Sequence, residues 1–146
     1  MSIMQREFIT ELRKQVSDEE RVALSYTEGL ACSEGTVRIV IGESNRATML
    51  RLLNDDSPHD GEVDEETARE LHQALASYLR EYMADQPSGH KWIILCCLYL
   101  SMVTKEPLHP QAVVGWQKVE DAYYCSARED QEGSLCRWCV CRRLEA

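Results

Sequence analysis

Four of the seven cysteines lie between Cys125 and Cys141, in the order Tyr123-Tyr124-Cys125 and then Cys136-Arg137-Trp138-Cys139-Val140-Cys141. Thiolates at such spacing suit a shared soft or borderline metal ion held tetrahedrally. In Cys136-x-x-Cys139 a tight turn brings both sulfurs to one side, and Cys125 is a natural third ligand. The fourth position has two candidates. His109 is distant in sequence but held between Pro107 and Pro110, which restrict the backbone on both sides. Cys141 is near, but it follows Cys139 by only two residues, which strains a mononuclear geometry. Three thiolates with one imidazole, or four thiolates, complete the site.

A structural zinc ion is the leading expectation, because such sites fix short peptides that lack a core of their own. The same donors suit an iron–sulfur cluster, which could recruit Cys141. A thiol redox role is a further alternative, although thioredoxin-like chemistry wants its Cys-x-x-Cys at a helix N-terminus after a strand, a setting the pattern lacks. A catalytic zinc with an open position would use Glu106 or Glu129 as general base, against the closed character of thiolate-rich sites. There is no glycine-rich phosphate loop and no serine elbow. The reading is therefore of a protein that works through a protein partner rather than through a reaction.

Composition bounds the partners. The 146 residues carry a net charge of −9, with 44% hydrophobic and 28% charged residues, as a soluble globular chain does. Residues 1–90 hold 9 Lys+Arg against 18 Asp+Glu, and residues 91–146 hold 7 against 7. An acidic body repels phosphates, so nucleic acid is disfavoured even though Arg137, Trp138, Arg142 and Arg143 interleave base and aromatic. The opening residues do not read as a secretory signal. The longest apolar run, Trp92 to Val103, is too short to cross a hydrocarbon layer of about 30 Å. Both features point to the cytoplasm, where thiols stay reduced and seven cysteines do not imply disulfides.

The elements that must position the thiols follow from periodicity. Ile3, Met4, Phe8, Ile9, Leu12 and Val16 form a helical stripe. Ser17-Asp18-Glu19-Glu20 is a capping box for a second helix reaching about Ser33 and stopped by Gly35, with Cys32 as a small buried residue. Residues 36–41 read as either strand or helix, and residues 44–53 as helix. Asn54 to Gly61 is a polar loop. Asp64 caps a helix to about Ala84, with Ala68, Leu71, Leu75, Tyr78, Leu79 and Tyr82 as its apolar stripe and His72 on its surface. Ser88 caps a central helix over about 89–104 that is apolar nearly all round, with Cys96 and Cys97 in its core. Residues 113–125 read as a short hairpin that delivers Cys125. The predicted fold is mainly α, a bundle of four or five helices around 89–104 with a small C-terminal β-hairpin and cysteine knuckle. It is one domain over 1–146, with a body of 1–105 and a tail of 106–146.

The segments Lys105-Glu106-Pro107-Leu108-His109-Pro110, Tyr123-Tyr124-Cys125 and Leu135-Cys136-Arg137-Trp138-Cys139 together resemble an uncharacterised archaeal family, found mainly in methanogens, known as domain of unknown function 2115. The resemblance covers residues 91–143, and before that only the helical character agrees. It implies that Cys125, Cys136, Cys139 and His109 are the positions to carry over, whereas Cys141 is no requirement of the family. The link between His109 and the hairpin is shorter and poorer in glycine than the family pattern. The resemblance also implies an anaerobic archaeal cytoplasm, where oxygen-sensitive clusters are tolerated, and it carries no established activity.

Overall fold

The computed structural model describes residues 1–26, 36–82, 84, 90–109, 111–126, 128 and 135–143. The chain is mainly α. It opens differently from the expected helix. Ser2–Met4 is a strand, β1, paired antiparallel with β2 (Glu62–Asp64), Ile3 opposite Val63. The ladder is extended by the N–H of Gln5 donating to the Gly61 carbonyl at 2.9 Å and that of Glu65 to the Met1 carbonyl at 3.0 Å. Helical spacing of Ile3 and Met4 fits either state. A partner strand some sixty residues away settles it, and within that strand Val63 turns to the core, 2% exposed.

Helix α1 (Gln5–Arg13) buries Ile9 and Leu12. The capping box then forms as read: the Ser17 N–H donates to Glu20 Oε1 at 2.9 Å, and the Glu20 N–H donates to Ser17 Oγ at 3.1 Å. It starts α2 (Asp18–Tyr26), and Lys91 pairs with the same Glu20 at 2.8 Å. Ser17→Ala is expected to cost about 1 kcal/mol, read as a lowered urea midpoint with unchanged slope. The expected continuation to Ser33, with Cys32 and Gly35, lies outside the described residues.

The ambiguous 36–41 segment is helical, the first turns of α3 (Thr36–Asn54). Its β-branched residues continue into the strong helical run 47–53, where Met49 and Leu52 are fully buried, so the helix is propagated rather than nucleated here. Arg13 closes its far end by donating from Nε to the Leu52 carbonyl at 2.8 Å and from its terminal nitrogen to the Asp55 carbonyl. Helix α4 (Glu65–Tyr82) is capped by Asp64, whose Oδ2 accepts from Thr67 Oγ1 at 2.7 Å. Ala68, Leu71, Leu75 and Leu79 face the core, but Tyr78 and Tyr82 do not belong to that stripe: they meet each other outside at a tilt of 44°, ring centroids 4.8 Å apart. His72 is exposed, as expected.

Helix α5 (His90–Tyr99) buries Leu95, Cys96, Leu98 and Tyr99 and passes directly into a π-helical turn, Leu100–Thr104. Lys105 ends it in the left-handed region at φ 57. Two carbonyls of the π turn, Met102 and Val103, accept from Gln5 Nε2 at 3.1 and 3.3 Å. No helix among the described residues is long and apolar enough to cross a membrane.

The hairpin is shorter than its pattern. Gln111–Val114 forms one helical turn, α6, closed by the Gly115 N–H on the Gln111 carbonyl at 2.7 Å, with Gly115 at φ 65. Strand β3 therefore starts at Gln117 and runs to Val119, pairing antiparallel with β4 (Ala122–Cys125). After a 3₁₀ turn at Leu135–Trp138, the two-residue β5 (Arg142–Arg143) pairs parallel with β4.

Candidate metal centre

Cysteine positions follow from these elements. Cys125 ends β4, where it stands opposite Arg143, so the β4–β5 pairing sets Cys125 close to Cys141 just before β5. Cys136 and Cys139 bracket the 3₁₀ turn, and the Cys139 N–H closes it on the Cys136 carbonyl at 3.1 Å. Cys125 and Cys141 are buried, whereas Cys136 and Cys139 are half-buried. No sulfur among the described residues is in a disulfide.

The feature that the motif did not reveal is Arg128. Its backbone N–H donates to the Cys125 carbonyl at 3.4 Å. One guanidinium nitrogen donates to the carbonyls of Cys136 at 2.7 Å, Cys139 at 3.4 Å and Cys141 at 2.6 Å. All four tail cysteines thus hang their main chain on one arginine, whose charge also acts on the Cys141 thiol. No spacing rule marks such a residue. Only the convergence of the loops does.

The thiols interact with one another. Burial first, then the Cys139 thiol hydrogen-bonded to it and the Cys125 sulfur nearby, push Cys141 up to about 12, with Arg128 acting in the opposite sense. Cys97 joins from α5: burial, then its neighbour Cys139, push its thiol up to about 12. Cys96 and Cys97 both pack with the core, as expected, and Cys97 also interacts with Cys139 of the tail. Cys96 is 1% exposed and donates to the Asn45 carbonyl at 3.3 Å, whereas Cys97 faces the tail. As the side chains stand, no three His, Cys, Asp or Glu donors among the described residues form a group that could hold a metal ion.

His109 is placed apart from this cluster. The residue is exposed, its carbonyl accepts from Trp116 Nε1 at 2.8 Å, and partial desolvation lowers its pKa. No thiol contributes to that shift. Glu106, weighed as a general base, is held below the usual carboxylate range by hydrogen bonds from Arg51, which suits it to an ion pair; Glu129 lies outside the described residues.

The tail is docked on the helical body. Ser101 Oγ, in the π turn, donates to the Trp138 carbonyl at 2.7 Å. Leu135 and Trp138 pack against the core, and the Arg137 guanidinium lies 5.1 Å from the Trp138 ring and 3.8 Å from a Glu70 oxygen.

A second cluster was read in the sequence only as polar loop. Asp55 Oδ2 accepts from the Tyr99 hydroxyl and stands 2.8 Å from His59 Nε2, while Oδ1 accepts from the Ser57 N–H at 3.0 Å. Burial alone would raise the Asp55 pKa, but the Tyr99, His59 and Ser57 hydrogen bonds outweigh it and hold the carboxyl at about 2. These groups line an open cavity of about 680 Å³ with Arg51 and Glu106, which pair with each other. Arg51 and Glu106 pair with each other, and Asp55 with His59 and Tyr99, so the cluster ties the 55–61 loop to α5.

Comparison with known proteins gives one curated relative, the UPF0305 protein MJ0646 of Methanocaldococcus jannaschii, 30% identical over 103 residues. The match covers 66% of this chain and spans 63% of that protein's length. No solved structure matches the chain. The family model described as "Uncharacterized protein conserved in archaea (DUF2115)" matches residues 7–144, through the helical body as well as the cysteine-rich tail, and the chain belongs to that family.

Proposed function

We propose that the cysteine-rich tail is a thiolate metal centre, filled by zinc, whose binding locks residues 117–143 onto a helical bundle arranged about α5, and that the protein acts through a protein partner in the cytoplasm. The supporting observation is the Arg128 clamp, which gathers the main chain of Cys125, Cys136, Cys139 and Cys141 about one point. Arg128 acts against the burial and the neighbouring sulfurs that push the Cys141 thiol up. Cys141 interacts with both Cys139 and Cys125, whereas His109 is exposed and unlinked to a thiol, so four sulfurs are favoured over three with an imidazole. A closed set of thiolates gives the ion a structural role. Its contribution is to folding, because each bond made to the ion is lost when the tail unfolds.

Metal analysis of protein purified without added zinc tests this. About one zinc per chain and no visible colour is the expected result. Brown protein containing iron and sulfide would instead assign an iron–sulfur cluster to the same donors. Metal-free protein with a folded tail would remove both readings and leave the thiols to redox chemistry.

A further inference from the structure

The cavity of about 680 Å³ beside Asp55 is of a size that takes small organic ligands, and it shares no lining residue with the cysteine tail. Part of its lining comes from irregular backbone. Val103 and Thr104 belong to the π turn, and Glu106 follows Lys105, which is held in the left-handed region at φ 57. Both conformations are uncommon, and both recur where a chain is shaped around a ligand.

The hydrogen-bonding groups that line this space divide unequally. Its donors are engaged within the protein: the Tyr99 hydroxyl donates to Asp55, Asn54 Nδ2 to the Leu50 carbonyl at 2.9 Å, and Arg51 to both oxygens of Glu106. Arg51 keeps further N–H groups, but its charge is balanced at the same point by Glu106. An ionised carboxylate only accepts, so His59 Nε2 carries the hydrogen shared with Asp55 at 2.8 Å. The groups left over are acceptors: Asn54 Oδ1, Nδ1 of the neutral His59 ring and the exposed Asp56 carboxylate.

Charge runs the same way. Three carboxylates, Asp55, Asp56 and Glu106, line the cavity against one guanidinium, that of Arg51, a net charge of −2. A phosphate or carboxylate ligand would be repelled by that balance and would find few donors. A bare metal ion would need three converging ligands, and no such group occurs among the described residues.

We propose that this cavity binds a small aliphatic cation that only donates, an alkylammonium or alkylguanidinium compound, with Asp56, His59 Nδ1 and Asn54 Oδ1 receiving its N–H groups and Val103 its methylene chain. Asp55 contributes charge, its oxygens being occupied by Tyr99, His59 and the Ser57 N–H. The site is independent of the thiolate centre, and either can fail without the other.

The test uses the full chain and agmatine, which carries an ammonium at one end and a guanidinium at the other. Calorimetric titration at low ionic strength is expected to give one agmatine per chain with Kd of about 1 mM or tighter, and no binding of acetate or phosphate. Asp56→Lys, at an exposed residue, takes the net charge of the cavity from −2 to zero. It is expected to weaken agmatine binding about tenfold or more. Glu81→Lys makes the same change of charge on the exposed last turn of α4, outside the cavity. It should alter binding by less than about twofold. On the unmutated chain, nuclear Overhauser contacts should join the agmatine methylenes to the Val103 methyls and the His59 ring. Absence of saturable binding, undiminished binding in Asp56→Lys, contacts confined to other surfaces, or phosphate binding as tightly as agmatine overturns the proposal. Equal weakening by Glu81→Lys overturns it too, because it would mean attraction of a cation to the acidic chain at large.

Discussion

Replacing Cys139 by Ser is expected to strip hydrogen-exchange protection from residues 117–126 and 135–143 while α3 and α4 keep theirs. Cys139 interacts with the Cys97 and Cys141 thiols, and its N–H closes the 3₁₀ turn on the Cys136 carbonyl. Apart from its thiols and the Arg128 hydrogen bonds, the tail has few supports. Gln117, Lys118 and Val119 are all exposed, β5 has two residues, and among the described residues the tail meets the body through Trp138, Leu135, the Ser101 hydrogen bond and Arg137 beside Glu70. Two- and three-residue strands of this kind are marginal by themselves. The expected loss is on the order of a hundredfold or more in protection of the hairpin amides, equivalent to about 3 kcal/mol of local stability. A strong chelator should produce the same pattern in the wild-type chain and add nothing in the Cys139→Ser chain. Loss of protection spread evenly over α3 and α4 would instead mean that Cys139 serves global packing.

The second large effect belongs to the helical body. Asp55→Ala is expected to destabilise the fold by about 3 kcal/mol, read from urea unfolding at pH 7. Tyr99 is 2% exposed, and its hydroxyl loses its acceptor when the carboxylate is removed; His59 and the Ser57 N–H lose theirs as well. Tyr99→Phe takes away the donor along with the demand for an acceptor and is expected to cost less, about 1 kcal/mol. The pH dependence has a definite sign. The Asp55 carboxyl lies at about 2 in the folded chain, below its ordinary 3.8, so the folded state binds this proton less readily than the unfolded state. Its contribution, about 2 kcal/mol, is present above roughly pH 4 and is lost as pH falls towards 2. Asp55→Asn should remove that acid limb from the stability profile. Burial, then the Asp55 carboxylate, raise the Tyr99 hydroxyl well above its usual range, so Tyr99 adds an alkaline limb: its contribution is lost as pH climbs above about 10. An unchanged acid limb in Asp55→Asn would move the effect to other carboxylates.

What the sequence displayed and what it hid divide along the range of the interactions. Signals decided within a few residues were legible. The capping box at Ser17–Glu20, the Asp64 cap, the apolar run after residue 90 and a two-stranded hairpin ending at Cys125 all appear where their residue types put them. Long-range choices were not. Ile3 and Met4 keep helical spacing but pair with Val63 and Glu62, and β-branched residues 36–41 take the helix of the run that follows them. Tyr78 and Tyr82 fit the α4 periodicity within one step but stack outside it. At the site, Cys125, Cys136, Cys139 and Cys141 announce themselves by spacing. Arg128 and Cys97 do not, because a lone arginine in a polar stretch and a cysteine on an apolar helix have commonplace roles until the loops are folded. The Asp55–His59–Tyr99 cluster was hidden for the same reason, its tyrosine coming from a helix more than forty residues away.

The central claim is that sulfurs near the carboxyl end hold one ion in common. Zinc K-edge X-ray absorption on the protein as purified measures that directly. A single first shell of four sulfurs at about 2.3 Å is the expected result. A shell of oxygen and nitrogen alone, or a chain that keeps its tail protected with no metal bound, would contradict it.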